Sequence, residues 1–133
     1  MGNLDFLAKD DELLKVASDA GLSMIIVGLE SPFQKTLEII GKKNYHSKDY
    51  KSIINKIQDY GISVLGYFMF GLDTDKKTIF DDTINFLSEI EIDIAGLCVL
   101  TPYPGTPIFE KLESQGRILT KDWSKYDMNT AVF

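Results

Sequence analysis

The sharpest chemical feature of this sequence is a carboxylate that closes a long apolar run: MIIVGLE ends on Glu30, and Ser31 and Pro32 follow. A charge in that position carries a desolvation cost unless a ligand, a cation or a hydrogen-bond donor meets it. Two readings follow equally from the residues. Glu30 accepts from a ligand hydroxyl, or it serves as a helix cap or ion-pair partner for Lys42 or Lys43. Two more apolar runs close on polar segments, GLDTD at 71–75 and TPYPGT at 101–106. Asp73 and Asp75 read first as caps of a following helix, because Asp-rich turns bond their own backbone. Glu30 and Asp73 would act as an acid–base pair only if both carboxylates shared one cleft. In the proline-dense loop, φ is fixed and backbone donors are withdrawn, which gives either a rigid connector or a backbone presenting carbonyls to a flat ring. Cys98 stands inside an apolar run and reads as a small core residue, while His46 reads as a surface or capping residue. A single cysteine supplies one ligand where a structural zinc or an iron–sulfur cluster takes about four. No phosphate-binding glycine motif, HExxH, GxSxG or EF-hand loop occurs.

These residues are positioned by an alternation that runs three times through the chain: an amphipathic helical stretch, a glycine, then a β-branched or aromatic run. The first helix is predicted to start at Asp10 and Asp11, with Leu13, Leu14 and Ala17 on one face and Gly21 as its stop. A shorter one is predicted over 33–40, ending at Gly41. Ser47 is the predicted N-cap of the next, whose apolar face is Tyr50, Ile53, Ile54, Ile57 and Tyr60. Ile79, Thr83, Phe86, Leu87 and Ile90 make a further face, and Pro107 opens a helix over 108–115. The tail 117–133, with Trp123 and Tyr126, is read mostly as loop or a short helix. Strands are predicted near 23–30, 62–70 and 94–100, the first two so apolar that burial on both faces is expected. The fold class is therefore α/β, with parallel strands joined by right-handed crossovers, in an open doubly wound sheet or an arc of a (β/α) barrel. In either, ligands bind beyond the carboxyl ends of the strands.

Composition narrows the partners. The 133 residues suit one domain, 1–133, and 44% hydrophobic with 26% charged residues is a globular balance. The formal net charge of -6 has the wrong sign for a surface that binds by neutralising phosphates, which excludes nucleic acid as the expected partner. No apolar run approaches the ~20 residues of a membrane span. The start MGNLDFLAKDDE lacks the blocks of a signal peptide, and Phe6 breaks a myristoylation motif. A cytoplasmic, reducing location is expected. A closed barrel takes about 250 residues, so three units form only part of one. Such an arc leaves two sheet edges and one face uncovered, and predicts a fragment of a longer protein or self-association through those edges.

Taken together, GLESPFQKTLEIIGKK, GISVLGYFMFGLD and LTPYPGTPIFEKLESQGRILTKDWSKYD resemble the C-terminal half of a radical S-adenosylmethionine (SAM) enzyme core, in the cobalamin-associated branch of cyclase-like and methyltransferase-like proteins. The resemblance implies a partial TIM-like barrel to which this chain gives the fourth to sixth strands. It implies that Glu30, with Ser31 beside it, hydrogen-bonds the ribose hydroxyls, and that Lys42 reaches the methionine carboxylate. Phe70 and Gly71 would lie near the adenine, lined also by the backbone of Leu100, Thr101 and Pro102. Some relatives carry an acidic residue where Tyr67 stands. The CxxxCxxC loop that holds a [4Fe-4S] cluster in this family does not occur here, nor does the glycine-rich motif that grips the methionine amino group. No metal ligand or catalytic residue is therefore assigned to the chain, which is expected to be inactive alone and to depend on the missing N-terminal half. The complete enzyme would cleave SAM reductively to a 5′-deoxyadenosyl radical that abstracts hydrogen from a small-molecule substrate, with cobalamin held elsewhere. A non-catalytic half-barrel serving as an interaction scaffold is the alternative, and an upstream cysteine triplet in the native gene would argue against it.

Overall fold

The structure is a computed structural model, which describes residues 10–42, 44 and 46–133. Lys43 and the first nine residues, Phe6 among them, lie outside the described residues. The order of elements is α1 (Asp11–Asp19), β1 (Met24–Glu30), α2 (Gln34–Ile39), α3 (Tyr50–Asp59), β2 (Ser63–Phe70), α4 (Ile79–Ile90), β3 (Ile94–Val99) and α5 (Pro107–Ser114). Single 3-10 turns occupy Ser47–Asp49 and Trp123–Lys125. The three strands are parallel in the order β1-β2-β3, so each crossover helix returns the chain to the same end of the sheet. This is the α/β architecture of a partial (β/α) barrel.

Helix α1 begins where its residues ask it to, since the Asp10 carboxylate accepts from the Leu13 N–H. Helix α2 ends in a Schellman arrangement: Lys42 N–H bonds the Leu37 carbonyl, Gly41 N–H bonds Glu38, and Gly41 takes φ +85°. Ser47 does not cap α3. It lies in the preceding 3-10 turn, where its own N–H is taken by Gln34 Oε1, and Asp49 precedes the helix without a side-chain bond. Asp73 and Asp75 do not cap α4 either. Thr78 holds that position, Asp75 closes its own loop by accepting from Gly71 and Leu72, and Asp73 pairs with Arg117.

One face of the sheet is packed. Ile25, Val27 and Leu29 of β1 with Val64 and Phe68 of β2 meet Leu14, Leu37, Tyr50, Ile54, Ile57 and Ile90 from the helices in a single core. Gly66 belongs to this face because a Cβ there would press on Leu29 and Ile92. The expectation of burial on both faces is corrected. Met24 and Ile26 are 40% and 44% exposed, and β3 is half-buried to exposed along its length. Among the described residues no helix covers that second face, and in a barrel it is the interior. The tail is more ordered than its sequence predicts. Phe109, Tyr126 and Val132 form a second small core, Tyr126 donates to the Thr120 carbonyl, and Val99 N–H reaches Met128 beyond the β3 edge.

Candidate functional site

Parallel strands place Glu30, Phe70 and the segment after Val99 on one rim. Glu30 reaches the open face through a local irregularity. The register slips between Gly28 and Glu30, Glu30 adopts φ +68°, and Ser31 N–H bonds the Leu29 carbonyl across it. This is a γ-turn of positive φ, a strained form for a residue with a side chain, and costs on the order of 1–3 kcal/mol. Strain of this kind persists where the surroundings over-determine it, typically at a binding site. The turn folds the carboxylate back over Gly28, where an added Cβ would collide with Glu30 Oε1 and lie 3.1 Å from Lys42 Nζ. Lys42 Nζ in turn donates to Glu30 Oε1 at 2.8 Å and to the Gly28 carbonyl at 2.7 Å. Both side chains are partly buried, Lys42 being 27% and Glu30 19% exposed.

A single rung across the open face carries this arrangement, Gly28 paired with Tyr67 and Tyr67 with Gly96. The Tyr67 ring lies on Gly96, which has no Cβ to obstruct it. Two positions further along, on the same face, Cys98 pairs with Met69, and its thiol donates to the Phe68 carbonyl at 3.3 Å. Burial, and secondarily the negative charge of Glu30, pushes the thiol above its ordinary value, so it stays protonated at neutral pH. That is not the thiolate a metal binds. Among the described residues no group of three His, Cys, Asp or Glu side chains stands ready to hold a metal. With one cysteine in the whole sequence, the residues do not fit a [4Fe-4S] cluster.

The second part of the rim is a hollow of about 360 Å³, walled by Ile39, Ile40, Met69, Gly71, Leu100 and Phe133 among others. Leu100 N–H donates to the Phe70 carbonyl at 2.7 Å, which holds Leu100 beside Gly71. Of the predicted site residues, Gly71 and Leu100 share this hollow, and Glu30 and Lys42 share the cradle over Gly28. The others lie apart from both. The Phe70 side chain is on the helix-covered side, 4.8 Å from the Phe80 ring, so only its backbone faces the rim. Ser31 is buried and its hydroxyl accepts from Phe33 N–H; Thr101 is buried and its hydroxyl donates to the Val99 carbonyl; Pro102 is buried. Asp73 turns outward to Arg117 at 2.7 Å, whose hydrogen bond holds its carboxyl below the usual range. With Glu30 on Lys42 and Asp73 on Arg117, the two carboxylates serve different cations and do not form an acid–base pair. Sequence reasoning missed Gly28 and Gly96. The available signal was a glycine inside an apolar run, which marks a close approach.

The sequence model of the radical SAM superfamily matches residues 3–87, more than half of the chain. The chain belongs to the radical SAM superfamily. It is 31% identical over 125 residues to the bacteriochlorophyllide d C-12(1)-methyltransferase of Chlorobaculum tepidum, an alignment covering 94% of this chain and 27% of that protein. Against the anaerobic magnesium-protoporphyrin IX monomethyl ester cyclase of Cereibacter sphaeroides the identity is 31% over 124 residues, 93% of this chain and 20% of the cyclase. The hopanoid C-2 methylase of Rhodopseudomonas palustris is 28% identical over 116 residues, 87% of this chain and 22% of the methylase. Both a cyclase and methyltransferases are therefore among its relatives, as the motif blocks implied. The radical SAM chain spans about a quarter of the length of these curated relatives. No helix among the described residues is long and apolar enough to cross a membrane.

Proposed function

We propose that this chain is the distal arc of a radical SAM barrel and holds the nucleoside part of the cosubstrate for an enzyme that methylates or cyclises a large apolar molecule. The observation that carries this reading is the Glu30 carboxylate held in a strained turn over the open face at Gly28, where a ribose would bring two hydroxyl donors. Lys42 supplies the positive charge of that end. Gly71 and Leu100 form the adenine end, which the Thr101–Pro102 backbone only adjoins along the chain, with Phe70 acting through its carbonyl and Ser31 through the turn it closes. The relatives named for tetrapyrrole and hopanoid chemistry, together with the apolar open face of Met24, Ile26 and Ile94, support the substrate class.

A [4Fe-4S] cluster on other residues would deliver the electron that breaks the carbon–sulfur bond of SAM, and no step of that cleavage is assigned to this chain. In this reading cobalamin, the remaining strands and the cluster loop all belong to the rest of the longer protein, a cytoplasmic enzyme. The edges of β1 and β3 pair with those strands, or with a second copy when the chain is isolated. The test is calorimetric binding of SAM to the intact, cluster-bearing protein. Glu30→Gln is expected to weaken binding by about tenfold, the worth of one hydrogen bond to a charged acceptor, without shifting the unfolding midpoint. Unchanged affinity would remove Glu30 from the pocket.

A further inference from the structure

We infer that the outer face of β3 is a docking groove for an amphipathic helix, and that this helix comes from the same polypeptide outside residues 1–133. The groove lies on the side of the sheet away from the nucleoside pocket, and the inference stands or falls without that pocket.

The helix layer is complete over β1 and β2 and stops short of β3. Parallel pairing sets Phe68 opposite Leu97 and Gly66 opposite Ala95, so each pair shares the helix side of the sheet. Phe68 is fully buried there, yet Leu97 is 49% exposed and Ala95 is exposed too. Helix α4 supplies the wall of the resulting groove. Its Phe86 meets Tyr50 of α3 edge to face, which turns that flank toward α3. Phe80, Ile84 and Leu87 follow the helical repeat along the opposite flank. Phe80 is anchored beside β3 by its ring contact with Phe70, the partner of Val99. Phe80 and Ile84 are nonetheless 59% and 58% exposed. An apolar strand floor beside an apolar helix flank is a surface that a folded protein covers.

The next helix in the chain does not cover it. Helix α5 turns to the rim instead, where Phe109 joins Tyr126 and Val132, and where Ile108 and Leu112 wall the hollow beside Gly71. The tail meets β3 at its edge, where the Met128 carbonyl accepts from Val99 N–H, and leaves Leu97 open. Three features identify the occupant. A floor one strand wide beside a helix flank matches the apolar stripe of one helix laid alongside α4, in the layer that buries the outer face of a parallel sheet. A concave groove is not complementary to itself, so a second copy does not fill it by two-fold pairing. The chain spans about a quarter of the length of its curated relatives, so the rest of such a polypeptide is tethered close by and can supply the helix.

Photocrosslinking in the intact, cluster-bearing protein tests this. p-Benzoyl-L-phenylalanine is placed at Ile84, at Leu97 and, as a control on the solvent side of α4, at Asn85. The purified protein is irradiated and the products are mapped by mass spectrometry. Ile84 and Leu97 are expected to give crosslinks at monomer mass into one common stretch outside residues 1–133, with the attacked residues three or four apart on a helical repeat. Crosslinks into residues 1–133, products of doubled mass, no crosslink from either position, or equal crosslinking from Asn85 would each overturn the inference. Hydrogen exchange gives a second reading. Ile84→Asp is expected to speed exchange in the crosslinked stretch by about tenfold or more while β1 and β2 keep their rates. Unchanged exchange in that stretch would overturn the inference as well.

Discussion

The two faces of this one sheet are built from alternate residues of the same strands, yet they do different things. On the helix-covered face Val27, Leu29, Val64 and Phe68 are fully buried. On the other, Met24, Ile26 and Ile94 are as apolar but 40–44% exposed, and among them stand a carboxylate, an ammonium, a phenol and a thiol. Hydrophobicity does not separate the faces. Packing does: the covered face is filled by large side chains from the helices, whereas the open face has glycines at both ends of the Gly28–Tyr67–Gly96 rung, which leave room for polar groups. A face that reads as core but lacks a cover is the inside of a barrel whose other wall comes from elsewhere.

Truncation on either face gives the largest contrast. Phe68→Ala empties a close-packed site touching Phe86 and is expected to cost about 3–5 kcal/mol in urea unfolding of this chain. Ile26→Ala should cost less than about 1 kcal/mol in the same assay. Equal losses would mean that the open face is covered in solution. Alanine insertion sharpens the same comparison at smaller cost. Gly66→Ala drives a methyl to 2.6 Å from both Leu29 and Ile92 and is expected to destabilise by about 1–3 kcal/mol. Gly28→Ala meets only the far ends of Glu30 and Lys42, which can swing away. Its expected signature is near-native stability with SAM affinity in the intact protein reduced at least as far as by Glu30→Gln. A Gly28→Ala protein with full affinity would detach the cradle from binding.

The rim should respond least. Arg117 holds the Asp73 carboxyl below its ordinary 3.8, so the folded state binds this proton more weakly than the unfolded one. The pair's contribution is therefore complete above about pH 3.8 and is lost as pH falls through the lower folded value. Asp73→Asn is expected to flatten the acid limb of the stability–pH curve below that point and to leave neutral stability nearly unchanged, because both groups are solvent-exposed. An acid limb identical to that of the parent chain would show that the tail is not tied to the rim by this bond.

Much of the fold was legible because its signals are local. Asp10 before α1, Gly21, Gly41 and Gly61 after helices, and Pro107 at the start of α5 each act within a few residues of themselves. The failures were local signals with competing partners. Ser47 yielded its amide to Gln34, and Asp73 found an arginine 44 residues away. At the site, Glu30 was marked by its place at the end of an apolar run, but its pairing with Lys42 depends on the turn at the end of α2.

By itself the sequence determined the alternation of helix and strand, the parallel direction of the strands and hence the rim on which Glu30, Gly71 and Leu100 would lie, because periodicity and chain connectivity leave little choice of hand or order. Only the tertiary structure decided which side of each strand meets the helices. It put Tyr67 and Met69 on the open side, Phe68 and Phe70 on the covered side, and two opposite charges over a glycine. The reason is physical: with a period of two, one residue of register exchanges every side chain between the faces, and register is set by packing partners far along the chain.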